Sequence, residues 1–173
     1  MSTTMPSPAT RRIIALAAAV FALDQLTKWL ALRSLSPVDE RVVIPGFFNL
    51  ACRANTGAAW SLFTGKNTLL AVVAVAAIVL LARMRHHFSA HRLTGQIALG
   101  LIFGGILGNL ADRLFRSAVV DFLHFYMARR GTTDVWDFPA FNVADSAICV
   151  GVAFIFILTW KNENAPLPVT SDK

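Results

Sequence analysis

Four apolar stretches, each close to the length that crosses a lipid bilayer, constrain the fold of this chain more than any other feature. A membrane-spanning helix needs roughly 20 mostly apolar residues at about 1.5 Å of rise per residue. The stretches cover residues 13–32, 66–83, 96–115 and 141–160. Only 15% of the 173 residues are charged, whereas soluble domains carry about 25%. The sequence therefore predicts an all-α integral membrane protein with four transmembrane helices, and it excludes a disordered chain.

The connection between the first two stretches is a long mixed loop, residues 33–66. Within it, VVIP and FFNLAC resemble short strands on either side of the turn signal Pro45-Gly46. We expect a small β element in this first extracytoplasmic loop. A cleaved signal peptide is the alternative for the first stretch, but its apolar run continues through Trp29 and Leu30.

Basic residues predict the orientation of the helices, because short cytoplasmic loops are enriched in lysine and arginine. The residues that flank the first stretch, fill the short loop at 83–95 and follow the fourth stretch are Arg11, Arg12, Arg83, Arg85, Arg92 and Lys161. We therefore expect both termini in the cytoplasm. The predicted organisation is a cytoplasmic tail at 1–12, a membrane domain at 13–160 and a disordered cytoplasmic tail at 161–173.

Four of the ten carboxylates lie in or beside the predicted helices, namely Asp24, Asp112, Asp121 and Asp145. At 1.5 Å per residue, Asp24 lies about 20 Å above the inner membrane face and Asp112 about 26 Å above it. Asp145 lies about one turn into the fourth stretch, which begins outside, and Asp121 directly follows the third. All four converge on the outer half of the bilayer. An ionisable side chain within a membrane indicates a functional site by default.

Small residues predict how the helices pack. Gly100, Gly104 and Gly108 recur every four residues, so they share one helix face and allow another helix to approach closely. Gly151 belongs to a similar pattern on the fourth stretch. Gly105 lies off the stripe, and we expect it to relieve backbone crowding.

Polar residues in the stretches and in the loops between them fall into short motifs. These are DQLTK at 24–28, NTGAAW at 55–60, GGILGNLADR at 104–113, VVDF at 119–122 and FNVAD at 141–145. Their order, spacing and placement on four spans resemble the bacterial lipoprotein signal peptidases, also called signal peptidase II. The resemblance covers roughly residues 13–160.

The resemblance implies a metal-independent aspartic endopeptidase of the bacterial inner membrane, without a cofactor. It would remove the signal peptide from diacylglyceryl-modified prolipoproteins by cleaving just before the lipidated cysteine. The active site would face the extracytoplasmic side. The implied partners are the lipidated prolipoprotein and membrane phospholipids, with no nucleic acid, and the chain would act as a monomer.

The resemblance also assigns site residues. Asp121 in VVDF and Asp145 in FNVAD correspond to the catalytic dyad of the family. Residues that would bind substrate or support the site are Asp24, Lys28, Asn55, Gly57, Gly105, Asn109, Asp112, Arg113, Asn142 and Ala144. Two departures from the family pattern are Trp60, where phenylalanine is more frequent, and a long segment at 127–137. Both are expected to affect substrate preference and to leave the reaction unchanged.

Two neighbouring carboxylates can hydrolyse a peptide bond. The charged one takes a proton from water while the protonated one polarises the scissile carbonyl. At the edge of hydrocarbon they cannot both ionise readily, so they share a proton. Neither Ser61 nor Ser146 has a base at helical spacing. His124 lies three residues from Asp121, but no second ligand type clusters with it, so we expect no zinc site and place His124 at the membrane interface.

For the supporting residues the sequence leaves alternatives open. Asp24 and Lys28, one helical turn apart, could form an ion pair that is either structural or functional. Asp112 and Arg113 either cap the third helix and pair with neighbours or contact the substrate. 

Further polar residues have simpler interpretations. Asn109 and Asn142 can donate amide hydrogens to a carboxylate or a carbonyl, and Asn55 with Gly57 indicates a turn that approaches a bound backbone. Arg53 and Arg116 are expected to extend towards the lipid headgroups. The two cysteines are interpreted as inert apolar residues.

Two other functions compete with the peptidase. Membrane aspartates and glycine-rich helices also suit a proton-coupled transporter or channel subunit. Against this, the carboxylates gather in one half of the membrane and form no path across it. A non-catalytic scaffold would give no reason for two aspartates in the same outer plane.

Overall fold

The protein, represented by a computed structural model, is described over residues 6–36, 40–57, 62–88, 90, 92–128 and 135–163. In this part of the chain the helices are α1 (Pro8–Ser34), α2 (Asn67–Met84), α3 (Leu93–Phe115) and α4 (Val143–Glu163). All four are long and apolar enough to cross a membrane, which confirms a helix at each of the four predicted spans. Helix α1 begins at Pro8, before the predicted start at 13. The side chain of Ser7 accepts a hydrogen bond from the Thr10 amide, and a proline suits the first helical turn.

A four-stranded antiparallel sheet lies at the end of the helices where α1 and α3 finish and α4 begins. Its strands, in spatial order, are β1 (Arg41–Ile44), β2 (Phe48–Asn55), β3 (Val119–Ala128) and β4 (Val135–Asp137). The first two strands confirm the predicted β element, and the turn between them closes through a 3.0 Å bond from the Phe47 amide to the Ile44 carbonyl. Gly46 adopts a φ of +76° there, which favours glycine.

The prediction of an all-α fold whose β structure is confined to the first loop is wrong, because two further strands, β3 and β4, lie between α3 and α4. Strand β3 lies between β2 and β4, and residues 119–122 are all buried. A strand buried on both faces has a continuous apolar sequence without the alternation that identifies a half-exposed strand. This explains why VVDFLHFYMA was not recognised as a strand.

Aromatic rings join this sheet to the start of α4. The ring of Phe125 on β3 stacks on Phe48 of β2 at 4.6 Å and on Phe141 at 5.8 Å between centroids. Phe141 also exchanges backbone hydrogen bonds with Leu123, at 2.9 and 3.0 Å. Phe141, which lies two residues before the start of α4, is therefore held against β3.

Helix α3 is the centre of the helical layer, because 61% of its spanning residues are buried, compared with 6% of those of α2. The glycines that face α1 are Gly100, Gly104 and Gly108. A Cβ atom at Gly104 would lie 2.6 Å from Val20 Cβ and 2.7 Å from the Ala17 carbonyl oxygen. On the opposite side, a Cβ atom at Gly105 would lie 2.5 Å from the Ala144 carbonyl oxygen of α4. The predicted close helix packing is thus confirmed on both sides of α3.

The substitution Gly104→Ala should lower the thermal unfolding temperature of the protein in detergent. Alanine has the better intrinsic helix propensity by about 1 kcal/mol, but overpacking a tight contact costs roughly 1–3 kcal/mol. Leu107→Ala, on the exposed face of the same helix, is the matched control and should leave the unfolding temperature nearly unchanged. Equal unfolding temperatures for Gly104→Ala and the wild type would show that α1 does not need this close approach.

Candidate active site

Lys28 is buried between two aspartates that belong to neighbouring helices. Its Nζ atom lies 2.9 Å from Asp24 Oδ2 on α1 and 2.8 Å from Asp112 Oδ2 on α3, and all three side chains are 0% exposed. Arg116 adds a second ion pair to Asp112 from one helical turn away. The predicted Asp24–Lys28 pair is confirmed, and we call Asp24, Lys28 and Asp112 the ion triad. Removing Lys28 would take from the buried Asp24 the cation that it pairs with, which is costly, so the triad fixes α1 to α3.

The ion triad also holds the segments that carry the two candidate catalytic aspartates. Asp24 Oδ1 accepts a 2.9 Å hydrogen bond from the amide of Ala144 at the start of α4. Asp112 Oδ2 accepts a 3.2 Å bond from the amide of Val120 at the start of β3. Gln25 donates to both aspartates at 3.2 Å. Ala144 therefore contacts the ion triad through its backbone N–H.

Asn142 caps α4 and contacts both candidate catalytic carboxylates. Its Oδ1 accepts from the Asp145 amide at 2.9 Å, and Asp145 Oδ2 accepts from the Asn142 amide at 3.2 Å. This reciprocal pair has the geometry of a capping box, which fixes the first turn of a helix. The Asn142 side-chain amide also donates to Asp121 Oδ1 at 2.7 Å. One fully buried side chain therefore sets the position of Asp121 relative to Asp145.

Two further asparagines complete the hydrogen bonds of the carboxylates. Asn109 donates to Asp145 Oδ1 at 2.7 Å, while its own Oδ1 accepts from Lys28 at 2.9 Å. Asn55 donates to Asp121 Oδ2 at 2.9 Å. Asn142 donates the other two hydrogen bonds, so each of the four carboxylate oxygens of Asp121 and Asp145 accepts a hydrogen bond. Both carboxylates are therefore held in a single orientation, and Asn109 links one of them to the ion triad.

The environment of Asp121 favours its protonated form. Burial, and then the negative charge of Asp145 beside it, raise the pKa of Asp121 from 3.8 to about 7, although hydrogen bonds from Asn55 and Asn142 oppose the shift. Two carboxylates that disfavour double ionisation hold one proton between them near neutral pH. The pair can thus supply a base and an acid at the same time.

Both carboxylates open into a cleft of about 570 Å³, and the side chains that line it include Asn55, Asn109, Arg113, Asp121, Asp145 and Cys149. Asn55 and Gly57, where a turn is predicted, both line this cleft. A 2.9 Å hydrogen bond from the Gly57 amide to Asn55 Oδ1 closes the turn. Arg113 holds this turn by donating to the Gly57 carbonyl oxygen at 2.9 Å. Its buried Nε has no partner among the described residues.

The structure places the two neighbouring residues of the third helix differently. Asp112 is enclosed in the ion triad and does not reach the cleft, whereas Arg113 lines it. Arg116 and Arg53, which are expected to extend towards lipid headgroups, each form an ion pair within the protein. Arg116 pairs with Asp112, and Arg53 pairs with Glu40 at 2.5 Å.

His124, which is expected at the membrane interface, is 5% exposed within the protein and lies between Glu40 and Asp137. Sequence analysis also missed Asp137 as a lining residue of the cleft, since no motif includes it and β4 was not recognised. Among the residues with described positions, no group of three histidine, cysteine or carboxylate side chains could hold a metal ion. Trp60 and residues 129–134 lie outside the described part of the chain, so their effect on specificity stays a prediction.

Replacing the central cation of the ion triad should strongly destabilise the protein. In Lys28→Met, two buried aspartates lose their shared partner, and breaking a buried ion pair in this way costs about 3–5 kcal/mol. The unfolding midpoint in a denaturing-detergent titration should fall accordingly. Lys66→Met, at an exposed lysine, is the control and should keep the wild-type midpoint. A wild-type midpoint for Lys28→Met would contradict the structural importance of the triad.

Comparisons with known sequences identify the family. A model of the family described as Signal peptidase (SPase) II matches residues 16–161. The lipoprotein signal peptidase of Geobacillus thermodenitrificans (strain NG80-2) is 43% identical over 145 residues, which are 82% of this chain and 85% of that protein. That of Bacillus pumilus (strain SAFR-032) is 40% identical over 136 residues, or 78% of this chain and 83% of the relative.

Two solved structures share the fold, and both are described as a "Bacterial membrane enzyme structure by the in meso method". The first, at 2.3 Å, has a TM-score of 0.78 and 31% identity, and the match covers 92% of this chain and 94% of that one. The second, at 1.9 Å, has a TM-score of 0.72 and 34% identity, covering 87% and 93%. With the family model matching most of its length, the chain belongs to the signal peptidase II family.

Proposed function

We propose that the protein is an aspartic endopeptidase that removes signal peptides from diacylglyceryl-modified prolipoproteins, cutting just before the lipidated cysteine. Membership of the signal peptidase II family makes it a membrane peptidase, and its relatives are named lipoprotein signal peptidases. The observation that carries the aspartic mechanism is the pair Asp121 and Asp145. Both face one cleft, and every carboxylate oxygen of the pair is oriented by a hydrogen bond.

The proposed hydrolysis uses two carboxylates, those of Asp121 and Asp145, that hold one proton between them. The ionised carboxylate takes a proton from a water molecule, and the resulting hydroxide adds to the scissile carbonyl carbon. The protonated carboxyl donates to the carbonyl oxygen as negative charge develops on it. When the C–N bond breaks, the proton taken from water passes to the leaving amine, which becomes the N-terminus of the lipidated cysteine. We propose that no metal ion takes part.

The placement of the cleft fits a substrate that arrives within the membrane. Ile148 and Cys149 of a membrane-spanning helix line the cleft together with the polar residues.

Arg83, Arg85 and Arg92 lie at the opposite ends of the helices from the sheet. By the preference of basic residues for the cytoplasm, the termini are cytoplasmic and the active site faces outwards across the bacterial inner membrane. Because one chain supplies both aspartates, a monomer suffices.

The dyad is tested by Asp121→Asn and Asp145→Asn in purified protein with a diacylglyceryl-modified prolipoprotein. Each variant should lose at least about 100-fold in cleavage rate, since proton transfer by a positioned group contributes 10²–10⁴-fold. Glu163→Gln, at the distant end of α4, is the matched control and should cleave like the wild type. Chelator should not slow the wild type. Cleavage by both dyad variants at the wild-type rate would refute the assignment.

The cleavage rate should depend on pH through the dyad. As the pH rises above about 7, where Asp121 titrates, the pair loses its shared proton and no acid remains to polarise the carbonyl. The maximal rate should therefore decline above neutrality, by up to about tenfold per pH unit. Single-turnover rates at saturating substrate between about pH 5 and pH 9 measure this. A rate that stays constant up to pH 9 would contradict a shared proton.

A further inference from the structure

A second opening, which we call the inner groove, lies between α1 and α2. Its volume is about 490 Å³, and the side chains that line it include Thr10, Ala18, Phe21, Arg85, Phe103 and Leu107. At 3.6 residues per turn, Leu107 points nearly opposite to Asn109, which lines the cleft of the dyad. Among the described residues, none lines both openings. The inner groove is therefore separate from the candidate active site.

The inner groove follows one face of α1 from the end of the helix to the middle of the membrane. Thr10, Ile14, Ala18 and Phe21 line it at the spacing of three or four residues that keeps side chains on one helix face. The rise from Thr10 to Phe21 is about 16 Å at 1.5 Å per residue. Half of a hydrocarbon core of roughly 30 Å is nearly the same length. The groove therefore has the length of an acyl chain in a single leaflet.

The walls of the inner groove are apolar and the groove is open towards the lipid. Ile13 and Phe103 line it and pack in the core cluster that includes Leu99. The other wall is α2, and only 6% of the spanning residues of this helix are buried. Small side chains, such as those of Ala18 on α1 and Ala82 on α2, belong to the lining. An apolar chain can therefore enter from the side and contact both helices.

The end of the groove away from the sheet is basic. Arg85, which directly follows α2, lines the groove and is exposed, and Thr10 lines it at the start of α1. Residues 1–23 and 66–111 contain no aspartate or glutamate. These segments include the adjoining parts of α1 and α3 and the whole of α2. An anion beside Arg85 would thus meet a cation without competition from a carboxylate of these segments.

We propose that the inner groove binds an anionic phospholipid of the cytoplasmic leaflet, with one acyl chain along α1 and the phosphate beside Arg85. A guanidinium forms charge-assisted hydrogen bonds with phosphate. The Thr10 hydroxyl lies 2.9 Å from that of Ser7 and, by accepting from it, can still donate to the phosphate. The choice of leaflet follows from the orientation proposed above, whereas the binding does not depend on the peptidase activity.

Native mass spectrometry of the purified protein in detergent tests the recognition of the headgroup. The probes are dioleoyl phosphatidylglycerol, which is anionic, and dioleoyl phosphatidylcholine, whose choline cation would lie against the basic end. The wild type should bind one phosphatidylglycerol at least about tenfold more tightly than phosphatidylcholine, as expected for one hydrogen bond between charged groups. Arg85→Gln should lose this preference. Arg83→Gln, which removes the same charge from the same end of α2 but outside the groove, is the matched control and should keep it.

A second pair of variants tests whether the acyl chain lies in the groove. Ala18→Phe fills the groove from an exposed position of α1, so it should weaken the binding of both lipids at least about tenfold through lost apolar contact. Ala15→Phe, at an exposed position of the same helix outside the groove, should bind both lipids like the wild type.

Four results would overturn the proposal. An equal loss of preference in Arg83→Gln and Arg85→Gln would show a response to overall charge. Binding by Ala18→Phe at the wild-type level would place the acyl chain elsewhere. Displacement of phosphatidylglycerol by an equal concentration of glycerophosphoglycerol, which has the headgroup but no acyl chain, would reduce the site to one for a phosphate. A lipid-free dimer that Ala18→Phe dissociates would make the occupant a second copy of the chain.

Thermal unfolding in an uncharged detergent gives a readout that requires no cleavage. A ligand that binds the folded state stabilises it, so phosphatidylglycerol should raise the unfolding temperature of the wild type and of Arg83→Gln but not that of Arg85→Gln. If the protein shows this shift but cleaves no lipidated substrate, the proposed function fails and the lipid site stands. If the wild type cleaves the substrate but phosphatidylglycerol leaves its unfolding temperature unchanged, the lipid site fails and the function stands.

Discussion

A lysine without solvent contact, held between two aspartates, is the interaction on which the rest of the site depends. Lys28 joins α1 to α3, and its two partners extend the connection to the backbone of α4 and of β3. Close helix packing makes this possible, because a side chain at Gly108 would occupy the position of the Asp24 carboxylate. The glycine stripe and the ion triad are therefore parts of one structure. Apolar packing alone would leave the rotation of these helices less strictly defined.

The same network of hydrogen bonds connects the ion triad to the two aspartates in the cleft. Asn109 connects Lys28 to Asp145, and Asn142 connects Asp145 to Asp121. Asparagine suits these positions because its amide donates to a carboxylate without adding a charge that would fully ionise the pair. Burial and mutual repulsion then retain one proton on the two aspartates. The ion triad thus lies beside a pair of aspartates, Asp121 and Asp145, that can bind or release one proton.

The sequence predicted the helices and the convergence of the aspartates well, because apolar length and the rise per residue determine both. It also indicated the ion pair of Asp24 with Lys28, since the spacing of one turn is visible directly. The partners that come from distant segments were not accessible in this way. The pairing of Asp112 with Lys28, and that of His124 with Glu40 and Asp137, depend on tertiary contacts. Strand β3 was missed because burial on both faces removes its alternation, and the contacts of His124 were missed with it.

The most direct test of the account is an infrared titration of the aspartate side chains in the purified protein. A protonated carboxyl should be present at pH 6 and should titrate near pH 7, because Asp121 lies in a buried site beside the charge of Asp145. In Asp145→Asn, removal of that charge should lower the midpoint of the remaining aspartate. An unchanged midpoint in Asp145→Asn, or a wild-type Asp121 that is fully ionised at pH 6, would contradict a proton-sharing dyad.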